Sequence, residues 1–162
     1  MSEVLVKRSQ KLAFYGVKEG TKIVFHRMTG FTEMAKTANP KEYSRQYVDE
    51  PFERKDIVGY SPEYAFSFDM FAGNAVHEDI AAICDEEKLA DDAVREIVIV
   101  DLTKAGTEEG SYLAVKRAFS VVPDSEGGSM DAYTYSGSLK VCGDKVTGVA
   151  KSTDGFLTVT FA

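Results

Sequence analysis

Histidine occurs only at His26 and His77, so a metal site or general base in this 162-residue chain would have to be built around one of them. The nearest thing to a ligand cluster is His77, Glu78, Cys84 and Asp85, a mixed nitrogen, oxygen and sulfur set on one short stretch. Its spacing matches neither a closed zinc site nor the two-histidine helical pattern, and the expected role of these side chains is a solvated acidic helix face. The neighbouring carboxylates Asp49/Glu50 and Asp91/Asp92 would act as acid and base only in a pocket that drives their pKa values apart. Nothing around them in sequence announces one. Gly128-Ser129 and Gly137-Ser138 lack the strand-turn-helix setting of a nucleophile elbow, and no helix follows Gly127-Gly128 to make it a phosphate cradle. Tyr112, Tyr133 and Tyr135 have the chemistry to stack on a base or sugar, but on alternating strands they read as sheet packing. The expectation is a protein that is no enzyme and holds no metal or cofactor.

The elements that carry these residues are mostly strands. LAFYGV (Leu12–Val17) and KIVFHRM (Lys22–Met28), joined by Lys18-Glu19-Gly20-Thr21, predict an opening hairpin. A loop is expected from Gly30 to Asn39-Pro40, where proline forces the preceding residue out of the helical region. From Tyr64 to Met70 apolar and polar residues alternate with period two, placing Tyr64, Phe66, Phe68 and Met70 on one face of a half-buried strand. The period then lengthens: Val76, Ile80, Ile83, Cys84 and Leu89 form one helical stripe, which predicts a single helix over about 75–89, capped by Asn74. Its outer face, with Glu78, Asp79, Asp85, Glu86 and Glu87, is acidic. Five further β segments are expected: Arg95–Thr103, apolar enough to be buried on both faces, then Tyr112–Val122, Asp131–Cys142, Lys145–Lys151 and Phe156–Phe161, with a turn over Asp124–Ser129. The fold class is mainly β, a β-sandwich or barrel with one flanking helix and no parallel sheet.

Between these elements lies an extended stretch that a closed core does not need. Tyr43 to Tyr60 alternates poorly and is charged at Arg45, Asp49, Glu50, Glu53, Arg54, Lys55 and Asp56, with Pro51 marking a bend or an edge. We read residues of about 29–60 as an extended arm or loop on a single domain spanning 1–162. Its side chains Tyr43, Arg45, Tyr47, Asp49, Phe52 and Arg54 are the candidates for meeting another subunit.

Composition bounds the class. Apolar residues make up 44% and charged residues 28%, close to ordinary globular usage, which suggests neither disorder nor a fibrous class. Residues 1–42 hold eight Lys/Arg against four Asp/Glu, a net of +4, and residues 43–162 hold eleven against twenty-two, a net of −11, which together give the overall −7. A body of that sign is a poor nucleic-acid clamp, because phosphate contacts need clustered Lys/Arg. It suits a surface that DNA slides past. Cys84 and Cys142 show no C-x-x-C spacing and are expected as free, buried thiols in a reducing compartment. No signal-peptide run and no apolar window of ~18 residues is present, so a soluble protein made inside a cell, with no membrane partner, is expected.

Read together, KEYSRQYVDE (Lys41–Glu50), DIVGYSPEYAFSFDMF (Asp56–Phe71), AVHEDI (Ala75–Ile80) and FSVVPDSEGGSMDAYTYSGSLKVCGD (Phe119–Asp144) resemble, in the same order, a bacteriophage tail tube (major tail) protein of a Gram-positive prophage or siphophage type. The resemblance implies a small β-sandwich with one flanking helix. Six copies would form a ring whose inner sheets join into a barrel, and the rings would stack into the tube through which DNA leaves the virion. It further implies the chain itself as principal partner, with tape-measure and tail-terminator or baseplate proteins beside it. DNA would pass without specific binding, and the protein would lie in the virion tail, after assembly in the host cytoplasm. It carries no catalytic residue to transfer. Two other readings stay open: a small β-barrel ligand-binding module using the Tyr and Phe side chains, and an inner tube protein of a contractile or secretion apparatus.

Overall fold

A computed structural model describes residues 3–128 and 130–162, and these form eleven strands and one α-helix. Ser129 of the Gly128-Ser129 pair lies outside the described residues. In order the elements are β1 (Lys11–Glu19), β2 (Lys22–Arg27), β3 (Phe31–Thr37), β4 (Pro40–Arg45), β5 (Arg54–Tyr60), β6 (Glu63–Asp69), α1 (Ala75–Asp85), β7 (Val94–Ala105), β8 (Ser111–Gly127), β9 (Thr134–Val141), β10 (Val146–Lys151) and β11 (Thr158–Phe161). The opening hairpin forms as expected, with Glu19 opposite Lys22 and Gly20 at φ +65° in the two-residue turn.

Nine strands make one antiparallel sheet in the order β10-β11-β2-β1-β7-β8-β9-β6-β3, and β10 pairs a second time, with β8. That second pairing closes β1, β2, β11, β10, β8 and β7 into a six-stranded ring. It is possible because β8 is long: residues 111–116 pair with β10, and residues 119–127 carry β9 and, beyond it, the wing β6-β3. Period two then assigns each shared strand to two cores. Phe14 on β1, Val98 and Val100 on β7 and Ala114 on β8 fill the ring together with Phe25, Ala150 and Val159. Their sequence neighbours Tyr15 and Ile97 face the other way, with Phe119 and Val121, against Phe66, Phe68, Tyr135, Leu139 and the helix residues Val76, Ile80 and Ile83. This is why β7 is apolar at successive positions: Ile97, Val98 and Val100 are all fully buried. Tyr112 and Tyr135 serve packing, against Phe156 and Phe68 respectively, as their strand positions predicted.

Four expectations need correction. The loop expected from Gly30 to Pro40 is largely strand β3, which pairs with β6; a bulge between Phe31 and Glu33 breaks its alternation and hides it from period-two reading. The turn expected over Asp124–Ser129 starts later, since β8 runs through Gly127. A register shift between Pro123 and Ser125 accommodates the proline, and Gly137 opposite lets the two backbones approach, for a Cβ there would meet the Val122 carbonyl and the Phe66 ring. The helix ends at Asp85 rather than near residue 89, because Glu87 takes φ +51° and the Lys88 N–H reaches back to the Ile83 carbonyl at 3.1 Å, closing the last turn. Leu89 is accordingly exposed. Finally, only Cys84 is partly buried; its thiol is pushed up to about 11 by burial and by the charges of Glu126 and Asp85, while Cys142, just past the end of β9, is exposed.

Candidate assembly interface

Among the described residues, β4 and β5 pair only with each other. Pro40, with no N–H to donate, opens the first strand, and the ribbon is fastened at its base by Asn39: its carbonyl accepts the Ser61 N–H at 3.2 Å and its Nδ2 donates to the Ser61 carbonyl at 3.1 Å. Tyr43 stands opposite Asp56 and Ser44 opposite Lys55, while Arg45 faces Arg54, a like-charge pair that would by itself splay the ribbon. Aromatic faces and one carboxylate offset that repulsion. The Arg45 guanidinium lies 4.9 Å from the Tyr43 ring and 5.9 Å from Tyr47, the Arg54 guanidinium lies 5.7 Å from Tyr47, and Arg54 Nε donates to Glu50 at 3.0 Å. Gln46 Nε2 donates to the Glu50 carbonyl, and the Glu50 N–H to the Tyr47 carbonyl, turning the chain at the tip.

Of the six residues singled out from sequence, Tyr43, Arg45, Tyr47 and Arg54 thus come together in one cluster. Asp49 and Phe52 stand apart from it at the tip, Phe52 with 77% of its surface exposed. Four further apolar residues belong to the arm, the first of them Val48, fully exposed at the tip. Ile57 and Val58, on opposite faces of β5, and Tyr60 are each about 60% exposed. The signal was present, since a strand apolar on both faces is expected to be covered on both, and none of the described residues of this copy covers either. A two-stranded ribbon is marginally stable alone in water, and one that leaves Tyr43, Tyr47, Val48, Phe52, Ile57 and Val58 exposed presents apolar surface on both faces for a protein contact to cover.

The chemistry-bearing residues elsewhere are absorbed by structure. Among the described residues no group of three or more His, Cys, Asp or Glu side chains is placed to hold a metal, and no helix is long and apolar enough to cross a membrane. His26 sits 3.3 Å from Glu19. His77 is a buried core residue, stacked on Phe68, whose Nδ1 accepts the Phe71 N–H at 3.1 Å and whose Nε2–H donates to the Thr29 carbonyl at 2.6 Å. Gly30, at φ +76°, touches this ring where a Cβ would collide with it. Burial lowers the His77 pKa below its ordinary value, against the smaller raising effects of the Thr29 bond and Asp69. The unfolded chain therefore takes up a proton near pH 6.5 that the native state does not, and stability falls as pH drops below that value. Thermal melts are expected to be flat between pH 8 and 7 and to decline from pH 6.5 to 5.5, with the decline lost in His77→Gln; an equal decline in the variant would place its cause elsewhere.

Asp79 also departs from the solvated acidic face on which it was placed. Its Oδ2 accepts from the Tyr15 hydroxyl at 2.5 Å and from Arg95 Nε at 2.8 Å, and Arg95 in turn donates to the carbonyls of Asp92 and Val94. The three side chains clamp α1 to β1 and β7. Burial, followed by the Asp79 charge and hydrogen bond, raises the Tyr15 hydroxyl well above its usual pKa, so the phenol stays protonated as the donor. Glu78, Asp85, Glu86 and Glu87 all lie exposed, as the sequence implies.

No family model matches the sequence, and neither does any curated protein sequence. Solved structures do match the fold. The chain is similar to one from the tail of an empty GTA particle, determined by helical refinement with C6 symmetry, with TM-score 0.62 and 12% identity over 88% of this chain and 98% of that one. It is similar to one from the virion of a native gene transfer agent particle, with TM-score 0.61 and 11% identity over 88% and 98%. It is also similar to one from the sheath/tube terminator of an extracellular contractile injection system, PVC, in the extended state, with TM-score 0.51 and 15% identity over 91% and 99%. The mainly β architecture with one helix described above is thus a fold found in chains of tail and injection-system assemblies.

Proposed function

We propose that this protein is a structural subunit of a phage-type tail tube, and that copies of it associate through the β4–β5 arm into rings that stack into a conduit for DNA. The observation that carries this reading is the arm itself: a ribbon fastened only at its base, apolar on both faces and uncovered by the described residues of its own subunit. Similarity to a chain from a C6-symmetric tail supports six copies per ring. The net −11 of residues 43–162 suits a lumen that repels phosphate. The tape-measure, terminator and baseplate proteins are then its further partners, the virion tail its place, and the host cytoplasm its site of assembly. A tail of the Gram-positive prophage or siphophage type is the form we favour, and the role is non-enzymatic. A second reading, a tube component of a contractile apparatus, draws on the similarity to the injection-system terminator. The ligand-binding module is disfavoured because the interior of the strand ring is filled by Phe14, Phe25, Val98, Val100 and Val159.

Negative-stain electron microscopy of the concentrated full chain is expected to show sixfold rings or tubes. A strict monomer at every concentration and salt, from a gene with no tail genes beside it, would sink the proposal.

A further inference from the structure

The wing of the sheet ends in a free edge. β3 pairs with β6 on one side only, and its outer side faces the start of β1 across a gap with no strand pairing between them among the described residues. Arg8 spans part of that gap, donating from Nη1 to the Lys11 carbonyl at 2.6 Å and from Nη2 to the Met34 carbonyl at 3.0 Å. The result is a cleft of about 660 Å³. Four cations, Lys7, Arg8, Lys11 and Lys36, line it, with no carboxylate among the described lining residues, and its floor is apolar, including Ala13, Met34 and Ile99.

The tip of the arm has the opposite character. Between Gln46 and Glu53 it carries Asp49, Glu50 and Glu53 and no cation, and Val48 and Phe52 project into solvent. Glu50 is engaged by Arg54, which leaves Asp49 and Glu53 as its outward charges.

We propose that the arm tip of one copy seats in the β1–β3 cleft of the next, Phe52 and Val48 against the apolar floor and Asp49 and Glu53 against Lys7 and Lys36. This rests on the reading of the arm as the assembly contact and names the surface that receives it. Charge complementarity favours this occupant, since Asp49 and Glu53, the outward carboxylates of the tip, meet a cation-lined cleft in which Lys7 and Lys36 are the side chains set against them. A phosphate backbone would match the cations but leave the apolar floor without a partner. The free edge of β3 also offers unpaired backbone groups to an incoming extended segment. The seat lies on another copy. The arm leaves from the end of β3 beside the cleft, four residues after Lys36, and its six-residue first strand carries the tip ~20 Å away from it, and every residue of β4 is exposed in its own subunit. A patch that fits a different patch on the next molecule makes a heterologous contact, which closes into rings or extends into filaments.

The test is a charge swap in the full chain, read by sedimentation velocity and electron microscopy. Lys7 and Lys36 are chosen because Lys11 lies 3.9 Å from Asp101 and Arg8 holds two carbonyls. Lys7→Glu/Lys36→Glu and Asp49→Lys/Glu53→Lys are each expected to weaken assembly ~tenfold or more through like-charge contact, and an equimolar mixture of the first with wild type is expected to cap growing assemblies. Combining both pairs of changes in one chain is expected to restore assembly to near the wild-type level. Loss of assembly on Tyr47→Asp/Phe52→Asp together with none on Lys7→Glu/Lys36→Glu would keep the arm contact and overturn the cleft as its seat. The seat is also overturned if the combined chain stays as impaired as the single pairs. If wild-type assembly is unaffected by the Tyr47 and Phe52 changes, the arm reading fails with it. Loss of binding to a short DNA duplex in Lys7→Glu/Lys36→Glu, with assembly intact, would reassign the cleft to a polyanion.

Discussion

Tyr47→Asp/Phe52→Asp is expected to abolish ring or tube formation while leaving the monomer's melting temperature within about 2 °C of wild type. The two halves of that result have separate causes. In the isolated subunit Phe52 is 77% exposed, and Tyr47, 44% exposed, packs within the arm; neither belongs to the two apolar cores, so replacing them takes nothing from those cores. In an assembly that covers them, each side chain contributes roughly 1.5–3 kcal/mol of apolar burial, and an aspartate in its place would bring an unpaired charge into the contact. The association constant should therefore fall at least ~100-fold. Tyr47 also receives both Arg45 and Arg54. Phe52→Asp alone separates lost contact from a loosened ribbon, because Phe52 belongs to no such cluster. Sedimentation velocity alongside thermal melts checks both halves. A fall of more than several degrees in the melting temperature would assign the arm to the fold of the subunit instead.

Asp79→Ala should act in the opposite sense, striking the subunit. The change leaves the Arg95 guanidinium without its carboxylate and the Tyr15 hydroxyl, in the core, without its acceptor. Breaking a buried pair from one side costs about 3–5 kcal/mol; with Asp79 and Arg95 each nearly one-fifth exposed, about 2–4 kcal/mol is expected. For a chain of this size that lowers the melting temperature by roughly 5–15 °C. Asp79→Ala/Arg95→Met should cost less than the sum of its single changes, since the double variant leaves no charge stranded. Denaturant titration of the four proteins closes the cycle. A loss below ~0.5 kcal/mol for Asp79→Ala would mean that apolar packing alone docks the helix. Glu78, one residue earlier, is exposed and, among the described residues, accepts only the Gly73 N–H, so Glu78→Ala provides a surface control.

Glu78 and Asp79, adjacent on one helix, mark where sequence reading stops. Both look like charges favoured at a helix N-terminus. Only the packing of α1 over β1 and β7 makes Asp79 the acceptor for two enclosed donors while Glu78 stays at the surface. β3 is hidden in the sequence for a local reason: its bulge shifts the face of every residue after Phe31, which breaks the period of two. The helix end is not legible in the sequence because it rests on Glu87 adopting a left-handed conformation in which glycine is the usual signal.

What the sequence determined by itself were the local periods and turn chemistry, which depend on near neighbours only. From these came the opening hairpin, the β6 face carrying Phe66 and Phe68, the Asn74 cap, the doubly buried β7 and the extended charged stretch with Tyr43, Arg45, Tyr47, Asp49, Phe52 and Arg54. Tertiary structure decided the rest, because it depends on which distant strands meet. Only the double pairing of β8 closes the ring and creates two cores from one set of strands. Only the pairing of β4 and β5 with each other alone, among the described residues, makes the charged stretch a standing arm, and only the curl that brings β3 opposite β1 gathers Lys7, Lys11 and Lys36 around one cleft. Such long-range encounters leave no periodic trace in the chain.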